Sequence, residues 1–325
     1  PHLERAAETA LRGGAWAEAG RLYGQLLEAE QGLEANEDRR RQRAGWQARF
    51  AVAEAGAGRV GEARRHARAA LALLGQRTGG SLGGTVLAAG ARDLVLRRRA
   101  PVSTRQAILV EAAQVYERLA ELHYLSDEPM AGLREALRGL ALALRTGQAD
   151  VRARLQSAIA LAVSVVPLRA LSKPLMRGAL ETARDIDDPA TVGIALEFAA
   201  LHAFALGRWS EARAHIREAL ARYETLGDRH RTLELRSTLA AVAYTRGQFA
   251  AAGALFADLA QDAAAAGNTR ARSWAELGHA LVAFRTGDTA RGLALLGSRR
   301  AATLQPLARL HLGEPREALE LSLIH

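Results

Sequence analysis

Alanine recurs at five positions spaced 40 residues apart, and two further sets of positions keep the same spacing. The members of the three sets are Ala120, Ala160, Ala200, Ala240 and Ala280; the small residues Gly132, Ser172, Ala212, Ala252 and Gly292; and the mostly aromatic Tyr124, Ser164, Phe204, Tyr244 and Phe284. An internal repeat with a period in this range is typical of arrays in which each unit stacks on the next. The repeat therefore predicts an extended surface suited to partners rather than a buried reaction centre.

Glycine followed by an aromatic residue marks the turn inside several repeats. Glycine can take the positive φ that ends a helix, and the aromatic residue then packs back onto the helix pair. The turn glycines are Gly14, Gly58, Gly207, Gly247 and Gly287, with Asp127 and Pro167 at the two remaining places. The loops between repeats carry Gly147, Asp187, Gly227 and Gly267. The unit is therefore predicted to be helix, tight turn, helix, loop.

The second half of this unit resembles the tetratricopeptide repeat (TPR), whose pattern there is Gly, any residue, aromatic, two of any, Ala. Residues 14–19, 207–212 and 247–252 fit that pattern, although 40 residues exceeds the usual period of about 34. Alanine, leucine and arginine dominate the composition, which also favours helices. The resemblance implies an all-α fold, a right-handed α-solenoid of TPR-like helix-turn-helix repeats with a period of about 40 residues.

Four segments are expected along the chain. Residues 1–74 hold N-terminal TPR-like repeats that begin mid-pattern, and 106–297 hold the regular repeats. Residues 75–105 form a Gly- and Arg-rich insert, interpreted as a hinge followed by a short amphipathic helix. That helix either covers the side of the array or docks on another domain or an anionic surface. Residues 298–325 form a shortened last repeat, whose final residues, 321–325, read like translated adapter sequence.

Composition limits the setting and the chemistry. The chain has no cysteine, which excludes disulfides and thiolate chemistry and favours a cytoplasmic location. No apolar run approaches the roughly 20 residues that a membrane-spanning helix needs. Because the chain opens at Pro1 without a signal peptide or initiator methionine, we expect it to be a fragment of a longer protein. The net charge of +9 comes almost entirely from arginine interspersed with glutamate, as on solvated helix faces.

Motifs that could carry chemistry are each explained by the repeat. Residues 56–61 spell G-x-G-x-x-G, but a helical pattern precedes them and Gly58 occupies a turn position, so nucleotide binding is disfavoured. The nine histidines lack metal-ligand spacing. The acidic run 185–188 sits where other repeats cap the next helix. Basic runs at 39–43 and 97–99 lack a reader helix or stacking aromatics, which makes nucleic acid an improbable partner. We therefore expect no catalytic residue, no cofactor and no metal.

The first helix of each repeat provides the candidate binding residues. In TPR-type arrays the first helices line the concave side, where a groove with aromatic anchors accepts a helix or an extended peptide. The candidates are Glu117, Tyr124, Ser157, Glu197, Phe204, Ser237, Tyr244 and Phe284. The alternative is that the aromatic members form core between repeats.

A wider resemblance concerns the phrases at 112–121, 126–129, 207–212 and 226–229. They resemble the C-terminal helical array of bacterial signalling proteins in which a nucleotide cyclase domain precedes an AAA-type or STAND-type ATPase module. The resemblance implies a non-catalytic protein–protein interaction scaffold for signal transduction, the sensor array of a multidomain ATPase or adenylate/guanylate cyclase. Its partner is a protein, a peptide or those attached domains. Two alternatives remain open: the array of an ATPase-containing transcription regulator, and a free-standing peptide-binding adaptor.

Overall fold

The computed structural model describes residues 2–30, 36–85, 103–124, 126, 128–164 and 169–295, and these are helical without a strand. They divide into two compact units, with the boundary between Thr191 and Val192. The helices are α1 (His2–Arg12), α2 (Trp16–Ala29), α3 (Glu37–Gly56), α4 (Val60–Leu73), α5 (Ser103–Tyr124), α6 (Pro129–Thr146), α7 (Ala149–Ser164), α8 (Arg169–Ile186), α9 (Pro189–Ala205), α10 (Trp209–Leu226), α11 (Arg229–Thr245), α12 (Phe249–Ala265), α13 (Thr269–Arg285) and α14 (Thr289–Leu295).

Consecutive helices pair as hairpins, and the odd-numbered helix comes first in each pair. In the N-terminal unit α1, α3, α5 and α7 contact one another in sequence, as α11 and α13 do in the C-terminal unit. Second helices pack between their own first helix and the first helix of the next hairpin, as α2, α4, α6 and α12 do. The predicted all-α array of helix-turn-helix repeats is therefore confirmed.

The turn glycines take the backbone conformation that the sequence predicts. Gly58 and Gly207 have φ of 78° and 71°, in the left-handed region that side chains with a Cβ disfavour. Gly58 links α3 to α4, so the G-x-G-x-x-G at 56–61 is a helix–helix turn and lacks the preceding strand of a nucleotide site. In the loops between hairpins Gly227 has φ of 66°, and Asp187 takes the equivalent conformation with φ of 52°.

The small residues of the repeat lie where helix backbones approach closely. A Cβ on Gly132 would sit 3.1 Å from the backbone oxygen of Ala120, so these two sets of the repeat meet at the crossing of α5 and α6. Two turns further along α6, a Cβ on Gly139 would lie 3.0 Å from the Cβ of Tyr116 on α5. All five alanines of the first set are buried.

Side-chain caps begin four of the described first helices, and the first of them is Asn36, which accepts from the N–H of Arg39 at 2.8 Å. Asp228 and Asn268 accept hydrogen bonds from the backbone N–H of Arg231 and Ala271, at 3.0 Å each. Asp188 accepts from the N–H of Thr191 at 2.8 Å, which confirms that the acidic run at 185–188 caps a helix. The hydrogen bonds that Asp188 accepts from the hydroxyl and the N–H of Thr191 lower the pKa of its carboxyl group.

The start of the predicted insert is held against α5 and α6. Arg138 donates to the carbonyl of Gly79 at 2.6 Å, and Tyr116 donates to the carbonyl of Arg77 at 2.6 Å. These hydrogen bonds fix the first part of the segment interpreted above as a hinge. Its basic run at 97–99 and the last repeat from 298 lie outside the described residues, so the four-segment division stays a prediction.

Candidate partner-binding face

The first helices present one continuous face in each unit, and we call it the first-helix face. It forms because the first helices lie side by side, while the second helices pack behind them. Polar side chains on this face reach from one first helix to the next. The face therefore includes the contacts between successive first helices.

In the N-terminal unit one guanidinium joins three first helices. Arg154 on α7 donates to both carboxylate oxygens of Glu117 on α5, at 2.5 and 3.2 Å. It also donates to the hydroxyl of Thr191 in the first turn of α9 at 3.1 Å and to Asp150 at 3.2 Å. Such bidentate pairing fixes geometry as well as charge, so this network sets the spacing of successive repeats.

An equivalent network lies in the C-terminal unit around Glu197. Its Oε2 accepts from the hydroxyl of Tyr223 on α10 at 2.6 Å and from Arg231 on α11 at 3.1 Å. A Cβ on Gly193 would lie 2.7 Å from Cε1 of Tyr223, so the absence of a side chain there makes room for the ring. Burial raises the pKa of Tyr223 above its ordinary value, which keeps the phenol protonated as the donor to Glu197.

Similar pairs bridge other neighbouring first helices. Arg41 on α3 donates to Glu111 on α5 at 2.8 Å, and Trp46 on α3 donates to Glu4 on α1 at 2.7 Å. Arg270 on α13 pairs with Glu234 on α11. These acidic groups of the face are thus paired with donors within the protein.

The four aromatic candidates lie in different environments. Tyr124 is half exposed, whereas Phe284 is buried and lies against Gly292, where a Cβ would come within 2.5 Å of its ring. Phe204 is partly buried and meets the ring of Trp209 edge-on, with centroids 5.5 Å apart. Tyr244 is partly buried, and its hydroxyl accepts from Arg285 on α13 at 3.3 Å. Phe284 is therefore core, and the other three reach the surface.

The two serine candidates are interior. Ser157 is fully buried and donates to the carbonyl of Ala153 at 2.9 Å. Ser237 is buried and donates to the carbonyl of Glu234 at 2.6 Å. Each hydroxyl satisfies its own helix, a common arrangement for serine within helices. Of the eight predicted residues, Tyr124 is half exposed and four others are partly buried: Glu117, Glu197, Phe204 and Tyr244.

Sequence reasoning missed the partners that hold the two glutamates and the apolar side chains beside them. Arg154 and Arg231 are not separated by a multiple of 40 residues, so the sets of repeated positions did not reveal them. Phe198 and Leu201 on α9 are partly buried and continue the exposed side of that helix from Glu197. Their spacing of one helical turn was the available signal, but α9 is apolar on every side and the spacing did not stand out.

Among the residues described, no three or more histidine, aspartate or glutamate side chains gather in a way that could hold a metal ion. None of the described helices has the length and apolar character that crossing a membrane requires.

Comparison with solved structures identifies the fold class. The chain is similar to a Rap protein complexed with Competence and Sporulation Factor, with a TM-score of 0.54 and 14% identity over 98% of this chain and 94% of that one. It is also similar to the apo form of RapI, with a TM-score of 0.52 and 11% identity over 85% and 93% of the two chains. A third match is a STAND protein with a tetratricopeptide repeat sensor from Pyrococcus horikoshii, with a TM-score of 0.47 and 13% identity. That match covers 98% of this chain and 42% of the other.

No protein-family model and no curated protein sequence matches the chain. The structural matches nevertheless place it in the class of TPR-like helical repeat proteins.

Proposed function

We propose that the chain is a non-catalytic regulatory scaffold that binds a protein or peptide on its first-helix face. The observation that carries the proposal is the composition of that face. Its charged groups are paired within the protein, as Glu117 is with Arg154, while Phe198, Leu201 and Tyr244 are partly open. A face of this kind offers apolar anchors surrounded by satisfied polar groups, the usual arrangement of an interaction surface.

The proposal extends to the setting of the scaffold. The sequence phrases at 112–121 and 226–229 resemble arrays attached to bacterial signalling ATPases and nucleotide cyclases. In that setting a partner on the first-helix face biases the attached module between two states, in proportion to its preference for one of them. The similarity to a Rap protein complexed with Competence and Sporulation Factor supports binding by an array of this fold.

The first test is the complete gene on both sides of this sequence. An ATPase or cyclase module upstream supports the regulatory array, whereas a short gene with no attached module contradicts the signalling setting. With a module present, nucleotide turnover is measured on the full protein and on a version lacking this array. We expect removal of the array to change turnover several-fold, and unchanged turnover contradicts the regulatory role.

The second test asks whether the first-helix face is the surface that matters. Tyr244→Ala and Leu201→Ser alter its open apolar part, and Arg217→Ala alters an exposed position on the second helix α10 as the matched control. We expect the first two variants to weaken the response to partner and the control to leave it unchanged. Thermal melts of all three establish that the fold is retained. Equal behaviour of the three folded variants contradicts the assignment of the face.

A further inference from the structure

The outward side of α6 carries a row of apolar residues with heptad spacing. Met130, Leu137 and Leu144 are seven residues apart, and Ala141 lies one turn after Leu137. Positions seven apart on a helix lie on the same side, so the row runs for about 21 Å along α6. Met130 and Leu144 are 49% and 54% exposed, and Leu137 is partly buried against the core of the N-terminal unit.

The repeat supplies an internal comparison for this row. In α8, α10 and α12 the residues 40, 80 and 120 positions further on are small or charged rather than large and apolar. At the place of Leu137 they are Arg177, Arg217 and Ala257; at the place of Leu144 they are Arg184, Glu224 and Ala264; and at the place of Met130 they are Ala170, Ser210 and Ala250. The repeat therefore does not require apolar residues at the exposed places of Met130 and Leu144, whereas Leu137 also packs on the core.

The charges around the row are mostly positive, and the carboxylate of the N-cap residue Glu128 is paired with Arg64 at 2.7 Å. The only carboxylate of α6 is Glu135, which is buried and accepts from Arg134 and Arg138 at 3.0 and 2.9 Å. Arg145 adds a third guanidinium near Leu144. Three arginines against one buried glutamate leave this side of α6 positive, with no exposed acidic side chain on the helix.

We propose that the outward side of α6 is a docking site for an amphipathic helix with acidic flanks, supplied by a partner protein. Heptad spacing is the pattern by which one helix packs along another, and a length of four turns suits a single partner helix. The positive surroundings select acidic residues beside the apolar seam of that helix. The site is separate from the first-helix face and does not depend on the function proposed for that face.

The test uses a synthetic helical peptide of about three heptads, with leucine at the a and d positions and glutamate on both flanks. Glutamate on both flanks also prevents the peptide from pairing with itself. A second peptide is identical except for lysine on the flanks. Binding of each to the whole chain is measured by fluorescence anisotropy. We expect the glutamate peptide to bind about tenfold more tightly than the lysine peptide, or better.

Two variants replace apolar residues of the row with residues that occupy the equivalent places of α10. The first combines Met130→Ser, Leu137→Arg and Leu144→Glu, which installs the residues that α10 has at these places and leaves the net charge unchanged. The second combines only Met130→Ser and Leu144→Glu and retains Leu137, in case the first does not fold. The control combines Arg217→Ala and Glu224→Ala on α10, which also leaves the net charge unchanged.

We expect each folded α6 variant to lose affinity for the glutamate peptide by about tenfold or more, and the control to retain it. Equal binding of the two peptides, or equal binding by the α6 variants, overturns the proposal. Two further measurements address other occupants of the surface. Binding to phosphatidylserine vesicles that the α6 variants abolish assigns the surface to a membrane. Self-association in sedimentation experiments that they abolish assigns it to a second copy of the chain. Either result overturns the proposal.

Discussion

Two mid-helix glycines of the C-terminal unit are expected to respond in opposite directions to the same substitution. A Cβ on Gly278 of α13 would lie 2.3 Å from Cε1 and Cζ of Phe256, well inside van der Waals contact. A Cβ on Gly253 of α12 would meet Cγ1 of Val282 at 3.8 Å, an ordinary contact. Gly278→Ala therefore requires the Phe256 ring to move, whereas Gly253→Ala fits the structure as it stands.

The magnitudes follow from two opposing effects. Replacing glycine by alanine within a helix stabilises the folded state by about 0.5–1 kcal/mol, chiefly by restricting the unfolded chain. Overpacking a filled core costs about 1–3 kcal/mol, and Phe256 is buried and in contact with the core cluster of this unit. We therefore expect Gly253→Ala to raise the free energy of unfolding by about 0.5–1 kcal/mol. We expect Gly278→Ala to lower it by about 1–2 kcal/mol.

Urea unfolding followed by far-UV circular dichroism measures both variants. Midpoints are compared first, because repeat arrays can depart from two-state unfolding. Phe256→Leu, made alone and with Gly278→Ala, completes a double-mutant cycle and should relieve most of the cost of the alanine. If Gly278→Ala stabilises the protein as much as Gly253→Ala, the close approach of α12 and α13 deduced here is wrong.

Three further outcomes are expected. Ala240→Trp and Ala200→Trp each replace a fully buried alanine and should lower stability by about 1–3 kcal/mol or more, measured by thermal melting; unchanged melts contradict the repeat register. Asp187→Gly should raise the melting temperature, because the φ of 52° strains a residue with a Cβ; a lower melting temperature would mean that the aspartate itself stabilises the loop. Burial lowers the pKa of His123 below 6.5, although Glu128 at 2.7 Å opposes the shift. Because the unfolded chain is then protonated first, stability should fall as the pH drops below about 6.5, and His123→Asn should reduce that dependence in pH-resolved melts.

The repeat predicted the backbone well because its signals are local. A glycine at a turn fixes φ through the sterics of its own residue, and the positive φ of Gly58 and Gly207 follows directly. A small residue at a crossing is likewise needed by the helix packed against it, as Gly132 shows against Ala120. The fold class and the positions of these turns were therefore accessible from the sequence alone.

The candidate site was less accessible because it depends on which side chains meet across helices. Tyr124 and Phe284 share one register, yet one is half exposed and the other buried against Gly292. Arg154 reaches Glu117 across 37 residues, a separation unrelated to the repeat period. Pairings between neighbouring helices depend on the rotation and tilt of each helix. A set of positions spaced 40 residues apart indicates only where a residue lies along the chain.

Departures from the repeat carry most of the information about partners. Within a hairpin a departure can be compensated, as Gly193 makes room for Tyr223. On the outward side of a second helix there is no such need, because Ser210 and Glu224 satisfy the fold where α6 has the exposed Met130 and Leu144. An exposed apolar side chain in such a place weakens solubility without a structural return. The row on α6 is therefore better explained by a surface that is covered in use than by folding, which makes it the sharper of the two sites to test.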